Sequence, residues 1–322
     1  MFSKNKGVVL ITTLFVILLL SAISVNFGNK YLIALKRDQY AEFQIKSLNI
    51  FRNSEIYSID IIEKELRYNL NKVSRNNPIL LNPFELNFDT SKIKIKIEDA
   101  SSCFNINSLV LYKDNKFFDN QKSIEAFKRI LLIYEINDRD IDEAIDQILD
   151  WIDHDSDPRI SGLEDYYYSG PLHQPQEFTS KRLFVKIDEL KNIPAIRNID
   201  WNIFKNNFCA LPHSGNISFN INTLGKDDAL LLYAVLPNID LQEAEFIVSN
   251  IPDEGYTDMQ SFFEDFSDIN FNKRYADLSF TSNIFEIKTT FELNDLKSSS
   301  ESKIIFNSNK NGYIFSRFYN GI

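Results

Sequence analysis

The chain has 322 residues, of which 44 % are hydrophobic and 27 are Phe, enough apolar material for one or two buried cores and too much for a disordered tail. Basic residues number 35 against 45 acidic ones, and the formal charge of -10 excludes a phosphate-backbone partner unless the cations cluster. They do not: KIKIKI at 92–97 alternates Lys with Ile, as the solvated face of a half-buried strand does. Cys103 and Cys209 are too few for a disulfide scaffold and are not spaced for zinc, which leaves one disulfide in an oxidising compartment or two buried thiols.

At the N-terminus a short basic leader, MFSKNKG, precedes VVLITTLFVILLLSAISV at 8–25, which carries no charge. As a helix that run would be about 27 Å long, just enough to cross a hydrocarbon core, with Lys4 and Lys6 on the cytoplasmic side. A cleaved signal peptide, cut near Ser21 to Ser24, is the alternative. Against it, the residues after the run lack Pro and keep apolar side chains at three and four spacing, Leu32, Leu35, Tyr40, Phe43 and Ile50 among them. That spacing predicts a single helix over 8–70.

NNPILLNPFEL then breaks helicity with two prolines, and LNFDTSKIKIKIEDA predicts two extended segments. At the far end NIFEIKTTFEL (283–293), SKIIFNS (302–308) and GYIFSRFYNG (312–321) predict an antiparallel meander. The pattern between is mostly helical. The fold expected is therefore α+β: a long N-terminal helix plus an antiparallel sheet from 71–103 and 279–322, with a large helical domain inserted at 104–278.

An internal echo divides the insert into two related units. FNINSL (104–109) returns as FNINTL (219–224), and DIDEA (140–144) as DLQEA (240–244). In each, the Ser108 or Thr223 hydroxyl is expected to cap the next helix and the second Asn to close the turn. Paired helices of this kind also occur in DNA-binding hairpins, but those need a Gly-rich turn facing phosphate. Here the turn is Leu236-Pro237-Asn238-Ile239-Asp240, so no nucleic acid partner is expected.

The most informative stretch is DWIDHDSDPRISGLEDYYYSG, from Asp150 to Gly170. Closely spaced acids suit neither strand nor helix, and they call for a positive charge among them. Asp153, Asp155, Asp157 and Glu164 occupy positions 1, 3, 5 and 12 of a twelve-residue window, the ligand spacing of an EF-hand calcium loop, and Asp165 adds a further oxygen donor beside them. Pro158 replaces the Gly that an EF-hand needs at position 6, so the expectation is a Ca²⁺ loop without the EF-hand fold. A solvated acidic turn, or an acid pair for hydrolysis, are the other readings. His154 and His173 lack the cysteine company of a zinc site and are read as surface groups. No nucleophile elbow or phosphate-binding loop is present, so the chain is not read as an enzyme.

These features together resemble one family. The leader ending in Gly7 before an apolar helix is similar to that of type IV pilins and type II secretion pseudopilins, in which a prepilin peptidase cuts after the Gly; Val8 would then be the first mature residue. Most members carry Glu at the fifth mature position, where this chain has Thr12, and the K component of type II secretion characteristically lacks that Glu. DWIDHDSDPRISGLEDYYY resembles the D-W-I-D-x-D and G-x-E-D-x-Y segments of that minor pseudopilin, and FNINTL its I-N-V-N-T-A segment. Leu163 in place of the usual Ala, and Val rather than Phe at the mature start, are departures that leave the acids untouched. The resemblance implies a pilin-like fold with calcium bound in the insert. It also implies a single-pass inner-membrane anchor with the bulk of the chain periplasmic, the prepilin peptidase and inner-membrane secretion platform as partners, and a tip complex with the I and J minor pseudopilins. A type IV minor pilin shares leader and fold and is the alternative; a metal-dependent secreted enzyme is the more distant one.

Overall fold

The apolar run and the stretch after it form one helix, α1 (Lys6–Tyr68), in a computed structural model that describes residues 6–68, 72–217, 219–271 and 278–322. Among the described residues it is the one helix long and apolar enough to cross a membrane, and none of its most apolar window is buried in the fold. The leader before Lys6 lies outside the described residues. Only the second half of α1 packs on the protein. Its inward stripe, Phe43, Ser47, Phe51, Ser54, Glu55, Ser58, Ile62 and Leu66, keeps the three and four spacing but includes polar residues, while Leu32, Leu35 and Tyr40 stay exposed.

After α1, Pro78 starts a single turn rather than ending helicity outright, α2 (Pro78–Leu81), with Asn77 Oδ1 accepting from the Ile79 N–H at 3.0 Å. Strands β1 (Phe84–Phe88) and β2 (Ser91–Asp99) follow, the latter turning Ile95 and Ile97 inward and its lysines outward. The insert begins with β3 (Phe104–Asn105) and a hairpin of β4 (Val110–Lys113) and β5 (Lys116–Asp119). Helices α3 (Gln121–Ile133), α4 (Asp138–Ile152), α5 (Asp165–Tyr168), α6 (Pro194–Arg197) and α7 (Trp201–Asn207) lead to β6 (Phe208–Cys209), which pairs in parallel with β3. The second unit contributes α8 (Ala229–Val235), α9 (Leu241–Ser249) and α10 (Met259–Asp265). The chain closes with β7 (Ile284–Leu293), β8 (Leu296–Phe306) and β9 (Gly312–Asn320).

Spatial order in the antiparallel sheet is β1-β2-β7-β8-β9. β2 and β7 are neighbours, with Asp99 opposite Phe285 and the Ala100 N–H donating to the Ile284 carbonyl at 3.0 Å, so the whole insert is the loop of one hairpin. Its place is fixed by α1. Phe43 stacks on Phe291 near one end of β7, whereas Ile62 and Leu66 share a core with Ile97 and Phe285 at the other. The insert therefore leaves the sheet at the end farthest from the apolar half of α1.

β8 starts six residues earlier than the sequence pattern suggested, because LKSSSES carries no β-branched or aromatic residue. Ser298, Ser300 and Ser302 all face α1, with Ser298 Oγ 2.8 Å from Ser47 Oγ and Ser302 Oγ 2.6 Å from Glu55 Oε1. Buried Glu55 also receives Arg317 in a two-pronged pair, 2.8 Å to Nε and 3.0 Å to Nη2, which ties α1 to β9. Small polar side chains let helix and sheet approach closely while the Ser47, Ser298 and Ser302 hydroxyls keep partners.

The larger core belongs to the insert, where Phe208 meets Phe104, Phe127 and Phe204 with ring centroids 5.2–5.3 Å apart. Both Asn motifs take the same form there, with roles opposite to those expected. The first Asn closes the turn: Asn105 Oδ1 accepts from the Asn107 N–H, and Asn220 Oδ1 from the Asn222 N–H. The second reaches out, Asn107 to Phe184 and Leu211 and Asn222 to Tyr256 and Phe280. Nor do the hydroxyls cap a following helix: Ser108 and Thr223 each donate back to the carbonyl three residues earlier, since both lie inside short 3₁₀ turns where that carbonyl is in reach.

Candidate metal centre

α4 forms because Ile141, Ala144, Ile145, Ile148, Leu149 and Ile152 make one apolar face, and because Asn137 caps its start by accepting from the Asp140 N–H at 3.0 Å. Its C-terminus delivers Asp150 and Asp153 to the interior, where the helix dipole disfavours anions. Arg159 answers that charge. Its Nη1 lies 2.6 Å from both Asp150 Oδ1 and Asp153 Oδ2, its Nη2 is 2.8 Å from Asp119 Oδ1 on β5, and its backbone N–H donates to Asp150 Oδ2 at 3.2 Å. Gly162 is required by the same carboxylate, since a Cβ there would fall 1.8 Å from Asp150 Oδ2. Burial, working against Arg159, still pushes the Asp150 and Asp153 carboxyls above their ordinary range.

Beyond Arg159 the loop folds back so that Asp153, Asp155 and Glu164 each offer an oxygen, all within 4.8 Å of one another. Glu164 is almost fully buried, and neither of its oxygens nor Asp153 Oδ1 has a hydrogen-bond partner among the described residues. Burial, with Asp153 and Asp150 nearby, pushes the Glu164 carboxyl up to about 7. Asp157 and Asp165 are not brought into this cluster. The Asp157 N–H donates to Asp155 Oδ1 at 3.0 Å, shaping the turn, while Asp165 Oδ1 accepts from the Thr179 N–H and hydroxyl at 2.8 and 2.7 Å and its Oδ2 lies 3.2 Å from Lys181 Nζ.

Behind the acids Trp151, Tyr168 and His173 pack edge to face at 4.9 and 5.0 Å. His173 is fully buried rather than on the surface, its Nε2 2.7 Å from Glu177 Oε1, because the loop after α5 folds it under the tyrosines. His154 is exposed and stacks on Phe117. Asp150, Arg159, Asp119 and Gly162 were not singled out by sequence reasoning. Arg159 had a signal, being the only Lys or Arg between Asp150 and Gly170. A cluster of hard oxygens with three orphaned buried acceptors fits a divalent cation such as Ca²⁺.

Elsewhere in the insert Cys103 and Cys209 are joined by a disulfide, which closes the first unit beside β3 and β6 and packs against Leu211 and Ile284.

Two family profiles, both described as type II secretion system protein K, match residues 102–213 and 219–278, together more than half of the chain. The chain belongs to the type II secretion system protein K family. Among its protein K relatives, one from Aeromonas hydrophila is 31 % identical over 183 residues, 54 % of each chain. A chain of Escherichia coli K12, provisionally named type II secretion system protein K, is 24 % identical over 84 % of this chain and 83 % of its own length. The fold is also that of a chain in the crystal structure of the GspK–GspI–GspJ complex from the enterotoxigenic Escherichia coli type 2 secretion system. The TM-score is 0.74 at 18 % identity, covering 88 % of this chain and 99 % of that one. In this chain the first profile match contains the acidic loop, and the second opens on the FNINTL motif.

Proposed function

We propose that the chain is a minor pseudopilin at the tip of a type II secretion pseudopilus, structural rather than catalytic, assembled with the I and J minor pseudopilins and built up by the inner-membrane secretion platform. The observation that carries this reading is the position of the insert. It grows from the end of the sheet farthest from the apolar half of α1, so with α1 in the inner membrane the insert's mass lies on the periplasmic side, where another subunit would have to stack. Thr12 supports the same place in the filament. Its hydroxyl is satisfied within α1 by the Val9 carbonyl at 2.9 Å, and it brings no charge into the membrane for a neighbour's amine. Mass spectrometry of the mature N-terminal peptide from native membranes tests the assignment. Cleavage by the prepilin peptidase after Gly7 gives a chain starting at Val8, with a methylated amine; a start near Ser24 would remove the anchor and sink the filament role.

In this reading Asp153, Asp155 and Glu164 hold Ca²⁺, which ties the C-terminus of α4 to the start of α5. The loop's net charge and orphaned oxygens support that ion, which would add about 3 kcal/mol at a hundredfold excess over its dissociation constant. The full chain in detergent is expected to melt roughly 6 °C higher in calcium than in chelator, and Asp153→Ala to lose that difference. pH separates the two conditions further. A Glu164 carboxyl held up to about 7 in the fold, against about 4.3 unfolded, favours the folded state below that range and loses that contribution as pH rises through 7. In chelator, melting temperature from this group therefore falls between about pH 5 and 7.5, while calcium, which binds the carboxylate, cancels the fall. Equal melting curves with and without calcium at pH 7.5 would count against the ion.

A further inference from the structure

The acidic loop contains two systems of neutralisation. Asp153 is divided between them: Oδ2 accepts from Arg159, while Oδ1 faces Asp155 and Glu164 without a partner. Asp150 belongs wholly to Arg159, which meets it through both side chain and backbone. The third arm of the guanidinium reaches Asp119 and so pins the β4–β5 hairpin to the same point. Lys181, the other cation close by, sits on the far side of the loop against Asp165 Oδ2 and Ser156 Oγ, at 3.2 Å each. No metal is needed for any of these contacts, and every one of them would survive its arrival.

We infer that Arg159 is a built-in counter-ion that keeps the acidic loop folded before a cation binds, so that the cation meets a preformed cluster instead of having to assemble one. A planar fork suits this task, because it grips Asp150, Asp153 and Asp119 at once while leaving Asp153 Oδ1 free. Without it Asp150 is a buried carboxylate lacking a partner charge, the costliest state such a group can occupy. The inference rests on the calcium reading for its second half, the sharing of Asp153, and stands apart from it for the first.

The test is a pair of thermal melts of the full chain in detergent, with calcium chloride and with chelator, for wild type, Arg159→Gln, Arg159→Lys and Asp119→Asn. In chelator Arg159→Gln is expected to melt about 8 °C below wild type, and in calcium to lose less than half of that, since the ion takes over part of the charge. Arg159→Lys recovers part of the loss in chelator, because it restores the charge without the fork. Asp119→Asn, which leaves the four inner carboxylates in place and covers the case of an Arg159→Gln chain that does not fold, gives a smaller loss confined to chelator. Where calcium raises the wild-type melt, equal losses in both conditions would overturn the counter-ion role, as would no loss in chelator whatever calcium does. A wild type that melts alike in both overturns the calcium reading and the sharing of Asp153, and the loss in chelator then decides the counter-ion by itself.

Discussion

Replacing both Cys103 and Cys209 with Ala is expected to lower stability toward urea by about 4–5 kcal/mol, through the loop-closure entropy returned to the unfolded chain when a cross-link of this span is lost. The separation is 106 residues, and the bridge encloses the first unit of the insert, from the end of β2 to β6. Ala is the informative replacement, because Cys209 is buried and a Ser there would add the cost of an unpaired hydroxyl. Backbone pairing beside the bridge is short, since β3 and β6 pair over two residues each. Equilibrium unfolding of the oxidised wild type against the double variant measures the difference. A change below about 1 kcal/mol would mean that the closed loop stays compact when unfolded, contrary to the entropic argument.

Asn222→Ala is the second large effect expected, at about 3–4 kcal/mol. The side chain is fully buried; its Oδ1 accepts from the Tyr256 N–H at 2.7 Å, and its Nδ2 donates to the Tyr256 and Phe280 carbonyls at 2.8 and 3.1 Å. Truncation leaves the Tyr256 N–H and carbonyl without partners where water does not reach, and leaves the Phe280 carbonyl with the Val73 N–H alone. Gly255, at φ +70°, confirms how closely the chain is drawn in, since a Cβ there would meet Asn222 Cγ at 2.7 Å. Asn107→Ala is expected to cost a similar amount by releasing Phe184 and Leu211. Were these residues ordinary turn formers, each change would cost no more than about 0.5 kcal/mol in a stability measurement, which is the result that would refute the argument.

Long-period features were legible from sequence. α1 announced itself by an uncharged run continued at helical spacing, and KIKIKI by strict alternation. β8 did not, because its inward residues are serines whose burial depends on the hydroxyls of α1 across the interface. The site divides in the same way. Acids at steps of two marked the loop, but spacing alone treats Asp155 and Asp157 alike, and only the folded turn decides that Asp155 joins Glu164 while Asp157 supplies a backbone N–H. Arg159 was visible as a lone cation among acids, yet its partners include Asp119, 40 residues away. His173 looked like a surface group because nothing local foretells Tyr168 and Glu177 as its walls. Repetition found both Asn motifs without revealing which Asn does what, since the distant strands that they gather are not part of the repeat.

Placing the insert inside one hairpin also sets the order in which the chain can assemble. β2 has to wait for β7, which is synthesised only after the whole insert, so the central pairing of the sheet has high contact order and is slow to form. The bridge and the Asn107 contacts of the first unit have no such wait, as they all lie within residues 103–211. The second unit depends on later chain: Asn220 donates to Ser282, and Asn222 to the Phe280 carbonyl. As the chain is completed, the disulfide-closed unit can therefore fold first and shorten the loop that remains to be closed. The second unit and the sheet then complete each other in a single late step, when Phe280 to Ile284 arrive.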